Sequence, residues 1–329
     1  MSKTSTELVR HALSGPTMGT RWSVLFYSAP GFDPAPIHVA LEAVVEGVDA
    51  QMSTWRPLSA LMRLNSAPVG EWTAVPAHLL TVLRLGLKIG HLSGGAFDIG
   101  MGDAVTAWGF GPEAATNEQI RAAMTVPRRA AHHVLDIEAG KVRKRSQIRL
   151  DLNGIAKGYG VDQLAETLSS FGIVSGLVSI DGEMRALGPR PDGEPWTIAV
   201  EKPDHKRRSP HSILELHDAA VATSGDYRHW VDVGGRRLSH TMDPVLGRPL
   251  STSPASVTVV AATCVAADAW ATALMVRGSL EGSELARRNN LEALFIDREG
   301  DPLRETRVGR LFEARLDSGR VIDLGMHTR

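Results

Sequence analysis

Between Cys264 and Val276 the chain reads CVAADAWATALMV, thirteen residues that are small or apolar apart from Asp268 and Thr272. Such a run predicts a helix buried on most of its circumference. Residues four apart share one helical face, so the Asp268 carboxylate and the Thr272 hydroxyl point the same way. A buried carboxylate without a partner costs several kcal/mol, on the order of 3–5 when an existing partner is removed. The rest of the chain must therefore wrap this helix and bring a partner to Asp268. An Asp–Thr pair bonded within a core and a site for an oxygen-loving cation both meet that demand.

The chain has 329 residues, with 43% apolar and 22% charged, enough for a sizeable core. We expect residues 1–17 to be an N-terminal extension and 18–329 a single domain. The formal net charge of −1 offers no pull toward nucleic acid or an anionic membrane. One cysteine, Cys264, cannot form an internal disulfide, so the redox compartment stays open. The opening MSKTSTELVRHALSGP contains no signal-peptide core and no lipid-attachment cysteine, and no apolar run is long enough for a membrane span. A cytoplasmic location is expected as the sequence stands, facing the envelope if a leader was removed.

Met18 to Phe26 predicts a strand. Ile37 to Met52 and Ala77 to Leu92 carry helical apolar spacing, the second closed by Gly94 and Gly95. NEQIRAAM predicts a short helix, and the alternation around Ala139-Gly140 a hairpin. A helix through NGIAKGYGVDQLAETLSSFGI should end at Gly172. Strands follow at GLVSID, WTIAVEK and SILELH. ASVTVVAA is a strand feeding the opening helix, with Thr263 as its N-cap, and EALFIDREGD is a late strand and turn. Irregular alternation with hairpins favours a mixed α+β fold over a doubly wound parallel sheet.

Several polar segments could carry chemistry. DLNGIAKGYG (Asp151 to Gly160) places Lys157 in the first turn of a helix, where a cation opposes the helix dipole. Either the lysine is solvated, or an anion such as a phosphate joins it at the free N–H groups. The spacing is not that of a Walker A loop. SGGAFDIG holds Ala96, Phe97 and Asp98 after two glycines, either as a helix C-cap with a core phenylalanine or as a ligand-contacting loop. ATSGDYRHW and LSHTMDPVLGRP are rich in proton donors and acceptors. The second holds His240 and Asp243 three residues apart, and histidine is the commonest general base. Trp55, in a loop, either caps the core or covers a flat aromatic ligand. None of the twelve histidines makes an HExxH motif.

Taken in order, MGTRWSV, MSTWRPLSALMRLN, GGAFDIGMGDAVTAWGFGP, DLNGIAKGYGVDQLA, TSGDYRHW, SHTMDPVLGRPL and SVTVVAATCVAADAWATAL resemble the successive signatures of the FAD:protein FMN transferases, the ApbE-like flavin transferases. The resemblance runs over roughly Met18 to Arg277. It implies an α+β fold of mixed sheets and packed helices, a T-fold-related architecture. It also implies Mg²⁺-dependent transfer of FMN from FAD to a threonine hydroxyl of an acceptor protein, a redox subunit, with release of AMP. By the same resemblance, flavin contacts fall on Met18, Trp55, Ala96, Phe97, Asp98, Asp151 and Lys157. Metal oxygens fall on Asp268, Thr272 and the carbonyl of Gly154, and the catalytic base on His240, with Asp243 second. Two departures stand out: Trp55 where tyrosine is frequent, and Ile180-Asp181-Gly182 where a Gly-Gly pair is usual. Two rival activities use the same residues, an FAD pyrophosphatase yielding FMN and AMP, and a flavin-binding protein without turnover.

Overall fold

In the computed structural model, residues 8–313 are described, apart from 113, 205–206, 228–229, 234–235, 252 and 299–302. The centre is an eight-stranded sheet: β1 (Val9–Thr17), β2 (Thr20–Ser28), β3 (Gly176–Ile180), β4 (Glu183–Leu187), β5 (Ala220–Gly225), β6 (Ser256–Ala261), β7 (Glu292–Asp297) and β8 (Arg304–Val308). Spatial order equals chain order, and every neighbouring pair is antiparallel. The sheet is thus a meander, and the larger helices are insertions between its strands.

Strand pleating sends alternate side chains to opposite faces. On β2, Trp22, Val24 and Phe26 join one cluster, whereas Leu25 and Tyr27 pack into another. The first face is covered by α1 (Ala35–Met52), α3 (Ala156–Ser170) and the start of α4 (Cys264–Arg288). The second is covered by a hairpin of strands Trp196–Glu201 and Pro210–Leu216, together with Phe312. A larger cluster joins α2 (Ala77–Leu92), the helix Ala60–Ser66 and the strands Leu135–Glu138 and Lys141–Lys144, the second of which also pairs with Trp72–Ala74, to α4 and the inner face of β5–β8. Fully buried Ala267, Ala269, Ala271 and Ala273 confirm α4 as the central helix. Its helical conformation breaks at Gly278, where φ is 73°.

The sequence boundaries move in two places. Met18 belongs to a turn, and strand β2 starts at Thr20. Positive φ at both Met18 (46°) and Gly19 (71°) makes the two-residue hairpin connection that matches strand twist. Val9–Thr17, within the segment expected to be an extension, pairs with β2 along its whole length. Its burial alternates, but the inward positions His11, Leu13, Gly15 and Thr17 hold one large apolar residue among them, so the sequence lacks the apolar alternation that marks a half-buried strand. Among the described residues no helix is long and apolar enough to cross a membrane.

Candidate active site

The site forms where α3 and α4 begin. Neither helix caps itself: Ile155 and Thr263, at the N-cap positions, make no side-chain cap bond. Free N–H groups at a helix start need outside acceptors, and each helix supplies the other's. Asp268 of α4 accepts the Gly158 N–H of α3 on Oδ2 at 3.0 Å. Asp162 of α3 accepts the Cys264 and Val265 N–H groups of α4 at 2.9 Å each. Thr263 thus stands at the expected N-cap position, but Asp162, rather than the Thr263 side chain, serves the first N–H groups of α4.

Gly158 makes this approach feasible. A Cβ there would lie 2.5 Å from the Cys264 carbonyl oxygen and 2.8 Å from Asp268 Cβ, so only glycine fits. Asp268 is 5% exposed, and its second oxygen, Oδ1, takes no hydrogen bond among the described residues. Burial, and then the charge of Glu183, push its carboxyl up to about 7, against the pull of Lys157 and the Gly158 N–H. One turn on, Thr272 Oγ1 lies 3.3 Å from Ser224 Oγ of β5. Gly154 packs on the same spot, since a Cβ on it would meet Thr272 Oγ1 at 3.1 Å and the Phe97 ring at 3.3 Å.

Lys157 is held by two carboxylates of the β3–β4 hairpin, Asp181 at 3.0 Å and Glu183 at 3.2 Å. Burial alone would lower its ammonium, but Glu183, Asp181 and Asp268 outweigh burial and hold it above the ordinary lysine range. The anion that the cation in a first helical turn called for is thus present as protein carboxylate. Asp181 stands at φ 59°, in the left-handed region that Asp tolerates better than most residues, at the tip of that hairpin. Met18, at the tip of the neighbouring β1–β2 hairpin, reaches the same helix: a Cβ on Gly160 would lie 3.4 Å from its methyl carbon.

The loop after α2 is built by two devices. Gly94 and Gly95 turn left-handed, and Arg277 of α4 donates to the Ser93 and Gly94 carbonyls at 2.9 and 3.0 Å. Ala96 and Phe97 are buried beyond it. Asp98 turns its Oδ1 to the Gly100 and Ala131 N–H groups, at 2.8 and 3.0 Å, and burial raises its carboxyl. Asp151 closes on Asn153 through both oxygens, and burial pushes it up to about 6.

The family model described as the ApbE family matches residues 18–295. This chain belongs to the ApbE family. The FAD:protein FMN transferase of Vibrio cholerae serotype O1 is 40% identical over 302 residues, covering 89% of each chain. That of Escherichia coli K12 is 34% identical, covering 88% of this chain and 84% of its own. The solved flavin transferase ApbE from Vibrio cholerae superposes with a TM-score of 0.82 at 38% identity, covering 92% of this chain and 98% of that one. The apo flavinyl transferase ApbE of Pseudomonas stutzeri gives 0.80 at 36% identity, covering 92% and 95%.

Within this ApbE-family chain the sequence-derived residues divide into groups. Gly154, Phe97, Thr272, Asp268, Lys157 and Met18 converge on the starts of α3 and α4 through the contacts above. Trp55 is 61% exposed, leaving its ring free to cover a flat ligand. His240 is half-buried between buried Ser239 and Thr241. Asp243 serves a turn: its Oδ1 accepts the Val245 and Leu246 N–H groups at 2.8 and 3.0 Å. That turn is anchored by Trp108, whose indole donates to the Gly247 carbonyl. In ATSGDYRHW, Arg228 and His229 lie outside the described residues.

Sequence reasoning missed Asp162, Glu183 and Ser224 as parts of the site. Glu183 is legible only as an acid next to a hairpin turn, and Asp162 only as an acid inside a helix. Among the described residues no cluster of three or more His, Cys, Asp or Glu could hold a metal. The donor set around Asp268 has a different make-up, with one carboxylate beside a hydroxyl and a backbone segment.

Proposed function

We propose that this chain transfers FMN from FAD to a threonine hydroxyl of an acceptor protein and releases AMP. One observation supports the reading most: Asp268 is buried, keeps one oxygen uncommitted, and has Thr272 and Gly154 beside it. Asp268, Thr272 and the Gly154 carbonyl are hard oxygen donors of the kind Mg²⁺ takes, usually alongside water and substrate phosphate. A bound Mg²⁺ supplies neutralisation of the pyrophosphate and of the departing AMP.

The chain's own groups do the rest. Lys157, oriented by Asp181 and Glu183, offers an ammonium N–H to the phosphates at the start of α3 and offsets part of the acidic charge around them. Met18, Trp55, the Ala96-Phe97-Asp98 loop and Asp151 flank the flavin. His240 accepts the threonine proton as the threonine oxygen bonds to the FMN phosphorus and the bond from that phosphorus to the AMP oxygen breaks. Asp243 is the second candidate base, although one of its oxygens already serves its turn.

The test is mass spectrometry of a candidate acceptor, such as a redox protein encoded beside this one, after incubation with FAD and Mg²⁺. An acceptor heavier by one FMN, with AMP released, is the expected result. Free FMN and AMP with an unmodified acceptor would replace transfer by hydrolysis, and intact bound FAD would leave a binder. His240→Asn should slow transfer by about 10²-fold or more while FAD affinity holds, because loss of a base acts on the transition state.

A further inference from the structure

Asp162 lies outside the residues that meet substrate, yet from α3 it contacts both the start of α4 and strand β4. It is 3% exposed. Its Oδ1 accepts from Cys264 N at 2.9 Å and from Arg185 Nη1 at 2.7 Å, and its Oδ2 from Val265 N at 2.9 Å. Those two N–H groups open α4, and Asp268 follows Cys264 by four residues, about one turn. On α3, Gly158 and Asp162 are likewise one turn apart, and they face Asp268 and the start of α4 respectively. Behind them, β4 presents Glu183 to Lys157 and Arg185 to Asp162, two residues apart and so on one face of the strand. The strand therefore grips α3 at two points, and α3 grips α4 at two points.

From this lattice we propose that Asp162, locked by Arg185, is a positioning residue. It fixes the rotation and height of the first turns of α4, and thereby where Asp268 Oδ1 and Thr272 Oγ1 are presented to a divalent cation. The inference rests on the metal-binding reading above. A helix cap with a purely structural role would lower stability when removed and leave cation affinity alone. A positioning role changes cation affinity in protein that is still folded. Residues that orient metal ligands from behind are worth about 10–100-fold in metal affinity.

The probe is Mn²⁺, titrated into the full chain and followed by the electron paramagnetic resonance signal of the free ion, with folding checked by circular dichroism. Asp162→Asn keeps the shape but loses the charge and one acceptor oxygen. It should weaken Mn²⁺ binding by about 10-fold, the low end of that range, with metal-free FAD affinity unchanged. The Mg²⁺ needed for half-maximal FMN transfer should rise in parallel, and the maximal rate should recover at saturating Mg²⁺. Arg185→Lys keeps the charge and loses the planar fork. It should produce a smaller shift of the same sign, and it decides the matter alone if Asp162→Asn does not fold. Wild-type Mn²⁺ affinity in the folded variants overturns the positioning role and leaves the metal reading intact. Absence of Mn²⁺ binding by the wild-type chain overturns the metal reading, and the positioning role with it.

Discussion

Asp162 and Asp268 perform the same structural task on opposite helices, each carboxylate closing the open start of the other's helix. Their surroundings differ. Asp162 spends both oxygens on two N–H groups and a guanidinium. Asp268 spends one oxygen on one N–H and has Glu183 and Asp162 as acidic neighbours, with Lys157 the compensating cation. Burial raises both carboxyls, but at Asp162 the hydrogen bonds and Arg185 oppose it from several sides. A buried carboxylate with both oxygens engaged is finished structure. One that keeps an oxygen free in an acidic pocket has a capacity that a cation can use.

The largest separation between the two should come from alanine at each. Asp268→Ala should abolish FMN transfer, by about 10³-fold or more if the cation carries several kcal/mol of transition-state stabilisation. The fold should persist, because the start of α3 can lose a single cap bond. Acceptor labelling at low Mg²⁺ checks this, and full activity there would remove Asp268 from the cation site. Gly158→Ala attacks both caps at once, since its new methyl collides with the Cys264 carbonyl and Asp268 Cβ. We expect about 3 kcal/mol less stability in urea unfolding, at the upper end for overpacking, together with weaker transfer.

Asp162→Ala strands the partly buried Arg185 and two N–H groups, at a cost of about 2–3 kcal/mol. Urea midpoints compare it with Asp268→Asn, which should cost little. The smallest effect lies in the pH dependence. The Asp268 carboxyl is raised from its ordinary range to about 7, so the folded chain holds a proton there that the unfolded chain has released. Stability in metal-free buffer should therefore fall as pH rises from about 4 through 7. Asp268→Asn should flatten that slope and melt a few degrees above wild type at about pH 8. An unchanged slope in thermal melts would mean that Asp268 titrates in its ordinary range.

Much of this was legible from residue order, for physical reasons that differ by element. Helix Ala77–Leu92 shows its apolar stripe and closing glycines, and it occupies the residues its spacing predicts. Strand β6 shows an apolar run because both of its faces are covered. Asp268 and Thr272 stood out because polar residues are costly in so apolar a helix. Asp162 did not stand out, because GVDQLAE reads as an ordinary amphipathic helix and the N–H groups it serves lie about a hundred residues further along the chain. Lys157 was legible as a misfit, but its partners Asp181 and Glu183 became visible only with the hairpin folded against α3. Val9–Thr17 escaped notice because its inward positions, His11, Leu13, Gly15 and Thr17, are mostly not apolar.

Matching spatial and chain order in the sheet has a consequence for synthesis on the ribosome. The β1–β2 hairpin emerges early, but its next partner, β3, begins only at Gly176. Roughly 150 residues separate them, or about 7–30 s of elongation at ordinary rates. Throughout that interval the open edge of β2 is a template for wrong pairing. The apolar face of the hairpin need not wait as long. Helix α1 follows at once, and its Ile37, Leu41 and Val45 pack with Trp22, Val24 and Phe26. The nascent chain thus carries its own early cover for that face, while the β2 edge stays open until the β3–β4 hairpin, with Asp181 and Glu183 of the site, arrives to close it.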